Sequence, residues 1–171
     1  MVDAARRLSS RLDQEKARYA HGEERPLGGY AVLLGVYATA VGAAGLWVRR
    51  NRSLPDRPSA ADVVMVALAT HKLSRLVTKD AVTSVVRAPV TEYREPGGPG
   101  EVVEDVRGHG VRHAVGELVT CPFCLDVWVA TAFVFGLVIA PRATRMVAAG
   151  LSAVTGSDFL QLAYCALDQA T

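Results

Sequence analysis

The chain has 171 residues, half of them hydrophobic and 21% charged, with a formal net charge of +2 and a mean hydropathy of +0.20. The length allows one domain, but the charges fall in blocks separated by long charge-poor runs. That pattern excludes an ordinary soluble globule, whose helices rarely run 20 residues without a charged stripe for solvent.

Residues 1–27 mix Arg6, Arg7, Arg11, Lys16, Arg18 and Arg25 with Asp3, Asp13, Glu15, Glu23 and Glu24. They read as a charged segment, helical up to Gly22 and Pro26, that tethers at a surface. Residues 28–48 are an uncharged run of 21, enough to cross a hydrocarbon core of about 30 Å at about 1.5 Å per helical residue. The mixed-charge residues before it, and the lack of a small-residue cleavage site leading into a soluble domain, make it an uncleaved anchor. RRNRSLPDRP then reads as a basic turn whose prolines stop the helix.

Residues 60–77 (AADVVMVALATHKLSRLV) carry an uncharged stretch followed by His71, Lys72 and Arg75. They form either a short span with snorkelling basic side chains or a half-buried interfacial helix, and a span is favoured. Asp80 is placed to cap a short amphipathic helix with Val82, Val85 and Val86 on one face, ending at Pro89. Lys79 and Arg87 flank it, which suits a membrane surface. Residues 91–110 are rich in Gly, Pro and acids and read as a flexible connector. GGPG lacks the lysine and the flanking strand of a phosphate loop. Residues 118–140 and 146–167 are two further runs of spanning length, each with a single charge, Asp126 and Asp158. The fold class expected is all-α, an integral membrane bundle of three or four transmembrane helices.

Lys and Arg number 19. With four spans and the N-terminus inside, 13 lie inside and 6 outside; with three spans and the N-terminus outside, the division is 11 to 8. Both arrangements put the loop 78–117 in the cytoplasm and make the chain a multi-pass protein of the cytoplasmic membrane.

The segment VTCPFCLDVWVATAF, residues 119–133, admits three chemistries. CPFC looks like a glutaredoxin active site, but there the pair follows a strand in a soluble α/β domain. The four-helix membrane thiol oxidoreductases are a nearer analogue, yet they need a second cysteine pair, and this chain has only Cys165 to spare. A cytoplasmic location would also be reducing. For zinc, His109 and His113 share a helix face and precede Cys121 and Cys124, a sufficient donor set at a spacing unlike a standard finger. The third reading makes the cysteines small packing residues at a helix start, where Pro122 suits the first turn. No catalytic residue is assigned and no cofactor expected, with zinc as the alternative.

If 118–140 and 146–167 form a hairpin about PRATR, Cys121 lies level with Cys165, Cys124 with Leu162, Asp158 with Trp128, and Asp126 with Leu160 and Gln161. An ionised Asp near mid-bilayer costs about 2.5 to 3.5 kcal/mol, so Asp126 and Asp158 should face protein. Trp128 would bond Asp158 and Gln161 would bond Asp126, or Arg75 or His71 would reach one of them, as helix-to-helix contacts. Ala38 with Gly42, and Ala149, Ala153 and Ser157, are spaced for close helix packing.

Four blocks in order, THKLSRLVTKDAVTSVVRAPV, GELVTCPFCLDVWVATAF, APRATR and SDFLQLAY, resemble the bacterial membrane-protein family catalogued as domain of unknown function 1360, which includes a sporulation-associated member. The resemblance covers about residues 60–167. It implies a small integral membrane protein without an established activity, and a pattern matched here by His71, Arg75, Asp80, Arg87, Pro89, Cys121, Pro122, Cys124 and Trp128. His109 and His113 fall where relatives commonly carry other residues.

The function expected is a non-enzymatic membrane scaffold or partner-binding protein, with Lys72, Arg75, Lys79 and Arg87 on anionic lipid headgroups or an acidic partner. Its partners would be membrane lipids and a membrane protein or second copy, with no nucleic acid. The rival is a thiol-redox or zinc protein centred on Cys121, Cys124 and Cys165.

Overall fold

A computed structural model describes residues 14–15, 18–19, 21, 25–52 and 58–170. The tethering segment over 1–27 therefore lies mostly outside the described residues, as does the middle of the basic turn. Among the described residues the elements are α1 (Leu27–Asn51), α2 (Ala60–Thr78), a 3-10 turn (Ala81–Thr83), α3 (Ser84–Arg87), β1 (Thr91–Pro96), β2 (Val102–Val106), α4 (Val111–Thr120), α5 (Pro122–Ile139) and α6 (Pro141–Asp168). The molecule is mostly helical, and α1, α5 and α6 are long and apolar enough to cross a membrane.

Local chemistry sets the helix ends. The α2 start is capped by Ser59, whose Oγ accepts the Asp62 N–H at 3.0 Å, and its bounds match the expected 60–77 closely. α1 runs on through Arg49 and Arg50, two cations in the last turn that suit the negative end of the helix dipole. The expected turn thus begins three residues late. PRATR is not a turn either: α5 ends at Ile139, Ala140 alone makes the bend, and Pro141 opens α6 at the position where a missing N–H costs nothing. Upstream, residues 118–120 finish α4, and Cys121 separates them from α5.

Side-chain pairs fix the helix directions. Tyr30 meets Glu117 just before α5, and Tyr37 meets Thr131 within it, so α1 and α5 run the same way. Asp62 pairs with Arg145, Ser152 bonds the Met65 carbonyl, Thr155 bonds the Leu68 carbonyl, and Lys72 pairs with Asp158, so α2 and α6 run together in the other direction. One end of the bundle therefore carries the sheet and α4, and the other carries the Ala140 bend. We call them the sheet end and the bend end.

α2 is wedged between α5 and α6. The core comprises Val66 and Ala69 of α2, Phe133 of α5 and Ala148 of α6, with Leu73, Val129, Leu137 and Leu151 packed against it. A close approach of α5 to α6 occurs beside the bend, where a Cβ on Gly136 would stand 2.7 Å from Thr144 Oγ1. Asp158, expected level with Trp128 across the hairpin, is paired instead with Lys72 of α2. The small-residue stripes are displaced too: Ala38, Gly42, Ala149, Ala153 and Ser157 are exposed, and the inward face of α6 runs through Ala148, Ser152 and Thr155.

Residues 91–110 correct the expectation of a flexible connector. β1 and β2 pair antiparallel, Thr91 opposite Val106 and Glu92 opposite Asp105, with an irregularity between Tyr93 and Glu95. The Gly- and Pro-rich stretch is the tight turn of a hairpin, with Gly100 at φ +75° where a side chain would be strained. Backbone bonds from Ala81 N–H to the Gly100 carbonyl and from Val102 N–H to the Lys79 carbonyl tie the hairpin to the end of α2.

Candidate functional site

At the sheet end the central side chain is that of Arg87. Its side chain is 0% exposed and that of Glu104 5%, and Arg87 Nε donates to Glu104 Oε2 at 2.5 Å. Nη1 donates to the Val77 carbonyl at 2.6 Å and to Thr83 Oγ1 at 2.8 Å, and Nη2 to the Asp80 carbonyl at 3.0 Å and Ser84 Oγ at 3.3 Å. A guanidinium has five N–H donors, and each is used. The arginine therefore binds the end of α2, the 3-10 turn, α3 and β2 into one cap. It does not reach lipid or a partner as expected, because no part of it is exposed.

Arg75 is likewise engaged, donating to Glu101 at the start of the second hairpin arm. Arg107 and Arg112 donate to the carbonyls of Ala88 and Pro89. Lys79 has no ion pair among the described residues. The helix expected after Asp80 is a 3-10 turn followed by one α turn, and the Asp80 side chain makes no capping bond. Its valines are nevertheless presented outward: Val82 is 83% exposed, Val85 77% and Val86 63%. Phe123, in the first turn of α5, is also 83% exposed.

Glu117 of α4 is the second polar centre. It accepts from Tyr30 of α1, lies 3.9 Å from Arg25 and stands 3.7 Å from His113 Nε2. His113 Nδ1 is 3.1 Å from the Gly108 carbonyl. Backbones come close here, because a Cβ on Gly29 would lie 2.6 Å from the Gly110 carbonyl oxygen. His113 is thus engaged within α4 and the turn before it, and His109 is exposed in that turn.

Cys121 occupies the N-cap of α5, where its Sγ accepts the Cys124 N–H at 3.3 Å. Cys121 is half-buried, Cys124 and Cys165 are exposed, and all three are free thiols. Among the described residues no three His, Cys, Asp or Glu side chains are grouped as a metal site.

Asp158 of α6 finds another partner than expected. Asp158 pairs with Lys72 at 2.9 Å, while His71 stacks on Phe159 with ring centroids 6.3 Å apart. Trp128 does not serve Asp158 but packs edge-on against Tyr37 at 5.0 Å. Gln161 lies 3.5 Å from Ser157 Oγ instead of bonding Asp126. Asp126 Oδ1 is buried without a hydrogen-bond partner, as are Thr70 Oγ1 and Ser74 Oγ.

Sequence reasoning missed the acids that answer the arginines, Glu101, Glu104 and Glu117, and the Asp62–Arg145 pair. The signal available was charge balance, since the acids of 92–105 follow the basic residues of 72–87.

The chain is 29% identical over 86 residues to the sporulation protein YjcA of Bacillus subtilis, covering 48% of this chain and 73% of that protein. It is 27% identical over 92 residues to the UPF0713 protein YngL of the same organism, covering 51% of this chain and 65% of that one. No solved structure matches the chain. The family described as Protein of unknown function (DUF1360) matches residues 65–164, which include α2 from Met65, the whole cap, α5 and most of α6. With more than half of its length matched, the chain belongs to that family.

Proposed function

We propose that the chain is a multi-pass protein of the cytoplasmic membrane that acts as a non-enzymatic scaffold, with α1, α2, α5 and α6 crossing the bilayer and the sheet end facing the cytoplasm. The observation that carries this reading is where the apolar surface lies. Only 6%, 11% and 11% of the residues in the apolar windows of α1, α5 and α6 are buried within the protein. Leu34, Leu46, Trp47, Val134, Leu160 and Leu162 face outward, and a soluble monomer does not present that much contiguous apolar surface. Lipid would cover it. α2 supports the same reading, because it is sheltered between two apolar helices and its charges at Asp62 and Lys72 are paired.

Charge distribution supports the orientation. Thirteen of the 19 Lys and Arg precede α1 or lie between His71 and Glu117, the stretches that this orientation leaves inside, and six lie in the other two connections. Partner binding is assigned to the exposed face of Val82, Val85 and Val86 with Lys79 beside it, since Arg75 and Arg87 are engaged inside the cap.

Alkaline carbonate extraction of membranes from cells expressing the full chain tests the reading. The protein is expected in the pellet; release into the supernatant would exclude membrane spans.

A further inference from the structure

At the bend end an open groove of about 850 Å³ lies between the first turns of α2 and α6. Met65, Met146 and Ala149 give it an apolar wall, and Asp62, Arg142 and Arg145 supply its charges. Asp62 and Arg145 are committed to each other: Arg145 Nε and Nη2 reach the two carboxylate oxygens at 2.8 and 2.9 Å. Arg142 has no ion pair among the described residues, so the groove keeps one positive charge in surplus. The α6 start beside it has no side-chain cap, which leaves unanswered N–H groups and the positive end of the helix dipole at the same place.

We propose that this groove binds one anionic phospholipid, its phosphate on Arg142 and the first turn of α6 and an acyl chain along Met65, Met146 and Ala149. The volume falls within the roughly 300 to 1,000 Å³ of small-ligand sites. An apolar wall ending in an unpaired cation at a bundle end matches a lipid, whose charge sits at the bilayer boundary while its chains lie below. A soluble anion would leave the apolar wall uncovered. The inference rests on the membrane reading above.

The full chain, delipidated in a neutral detergent, is melted with added phosphatidylglycerol or phosphatidylcholine in mixed micelles. Phosphatidylglycerol is expected to raise the midpoint by about 3 °C, and phosphatidylcholine to leave it in place. Arg142→Gln and Ala149→Trp should each remove that rise, while Arg142→Lys retains most of it and shows that the charge is what matters. Equal stabilisation by both lipids, or a rise that survives Arg142→Gln, would overturn the proposal. So would dimerisation that fills the groove in place of lipid, read from the protein's mass in detergent. Failure of the membrane reading is distinct, since it appears at carbonate extraction before any lipid is added.

Discussion

Arg87 and Glu104 meet at 2.5 Å with both side chains sealed from solvent, and the arginine's remaining donors end on the turn that joins α2 to the hairpin. A residue that reads in sequence as a surface cation is thus the fastening of the cap. Breaking one half of a buried pair leaves the other charge uncompensated, at about 3 to 5 kcal/mol. Arg87→Met should therefore lower thermal stability in detergent severely, and Glu104→Gln less, because an acceptor remains. With the Glu104→Leu single variant measured beside them, the Arg87→Met, Glu104→Leu double variant should lose less than the sum of its two singles, although the Val77 and Asp80 carbonyls remain without their donor. Additive losses in this cycle would show that the two residues act independently.

Between α2 and α6 the ion pair should count for more than the hydroxyls. Thr155 is 1% exposed and donates to the Leu68 carbonyl at 3.0 Å, while Asp158 pairs with Lys72 at 2.9 Å on two helices read here as spans. Thr155→Val is expected to cost about 1 kcal/mol and Asp158→Asn more than that, because it leaves the Lys72 charge unpaired within the bilayer. Denaturation of the two variants side by side checks the order.

Asp126 should prove dispensable. Its Oδ1 is buried without a partner among the described residues, so that oxygen bears a desolvation cost that no bond offsets. Asp126→Asn is expected to leave the midpoint unchanged or raise it. A marked loss would mean that Asp126 holds a proton or ligand that stabilises the bundle.

The cysteines separate scaffold from thiol or zinc protein. Cys121→Ser preserves an N-cap acceptor and should not destabilise, while Cys121→Ala should cost less than the about 0.5 to 2 kcal/mol of a lost oxygen cap, because sulfur is a weak acceptor. Cys124→Ala and Cys165→Ala should change little. Protein purified without reductant should carry no stoichiometric zinc, measured by elemental analysis, and its thiols should react slowly with maleimide. A fast-reacting thiol, or one zinc per chain, would transfer the central role to the Cys-Pro-Phe-Cys segment.

Hydropathy along the chain is a one-dimensional property, which is why the three long apolar helices and the bounds of α2 are legible in the order of residues alone. The remainder depends on a third dimension. A one-residue step turns a helix face by about 100°, so Ala149, Ala153 and Ser157 resemble a packing stripe while the true one runs through Ala148, Ser152 and Thr155. The hairpin is hidden by its own turn, because Gly and Pro punctuate loops and tight turns alike. Arg87 reads as a surface residue on the ordinary behaviour of arginine. Only its acidic partner 17 positions later reveals otherwise. Asp158 has its partner on α2, but on Lys72 rather than Arg75 or His71, a difference set by how α2 rotates against α6.

The central claim is that the bundle crosses a membrane with the sheet end inside. It is tested most directly by single cysteines in a background of Cys121→Ser, Cys124→Ala and Cys165→Ala. Gly98→Cys suits the hairpin tip, where a Cβ makes only ordinary contact with Glu101, and Ala143→Cys suits the exposed start of α6 at the bend end. In intact cells a membrane-impermeant maleimide should label Ala143→Cys and spare Gly98→Cys until the cells are opened. Labelling of Gly98→Cys in intact cells, or equal behaviour of the two positions, would contradict the account.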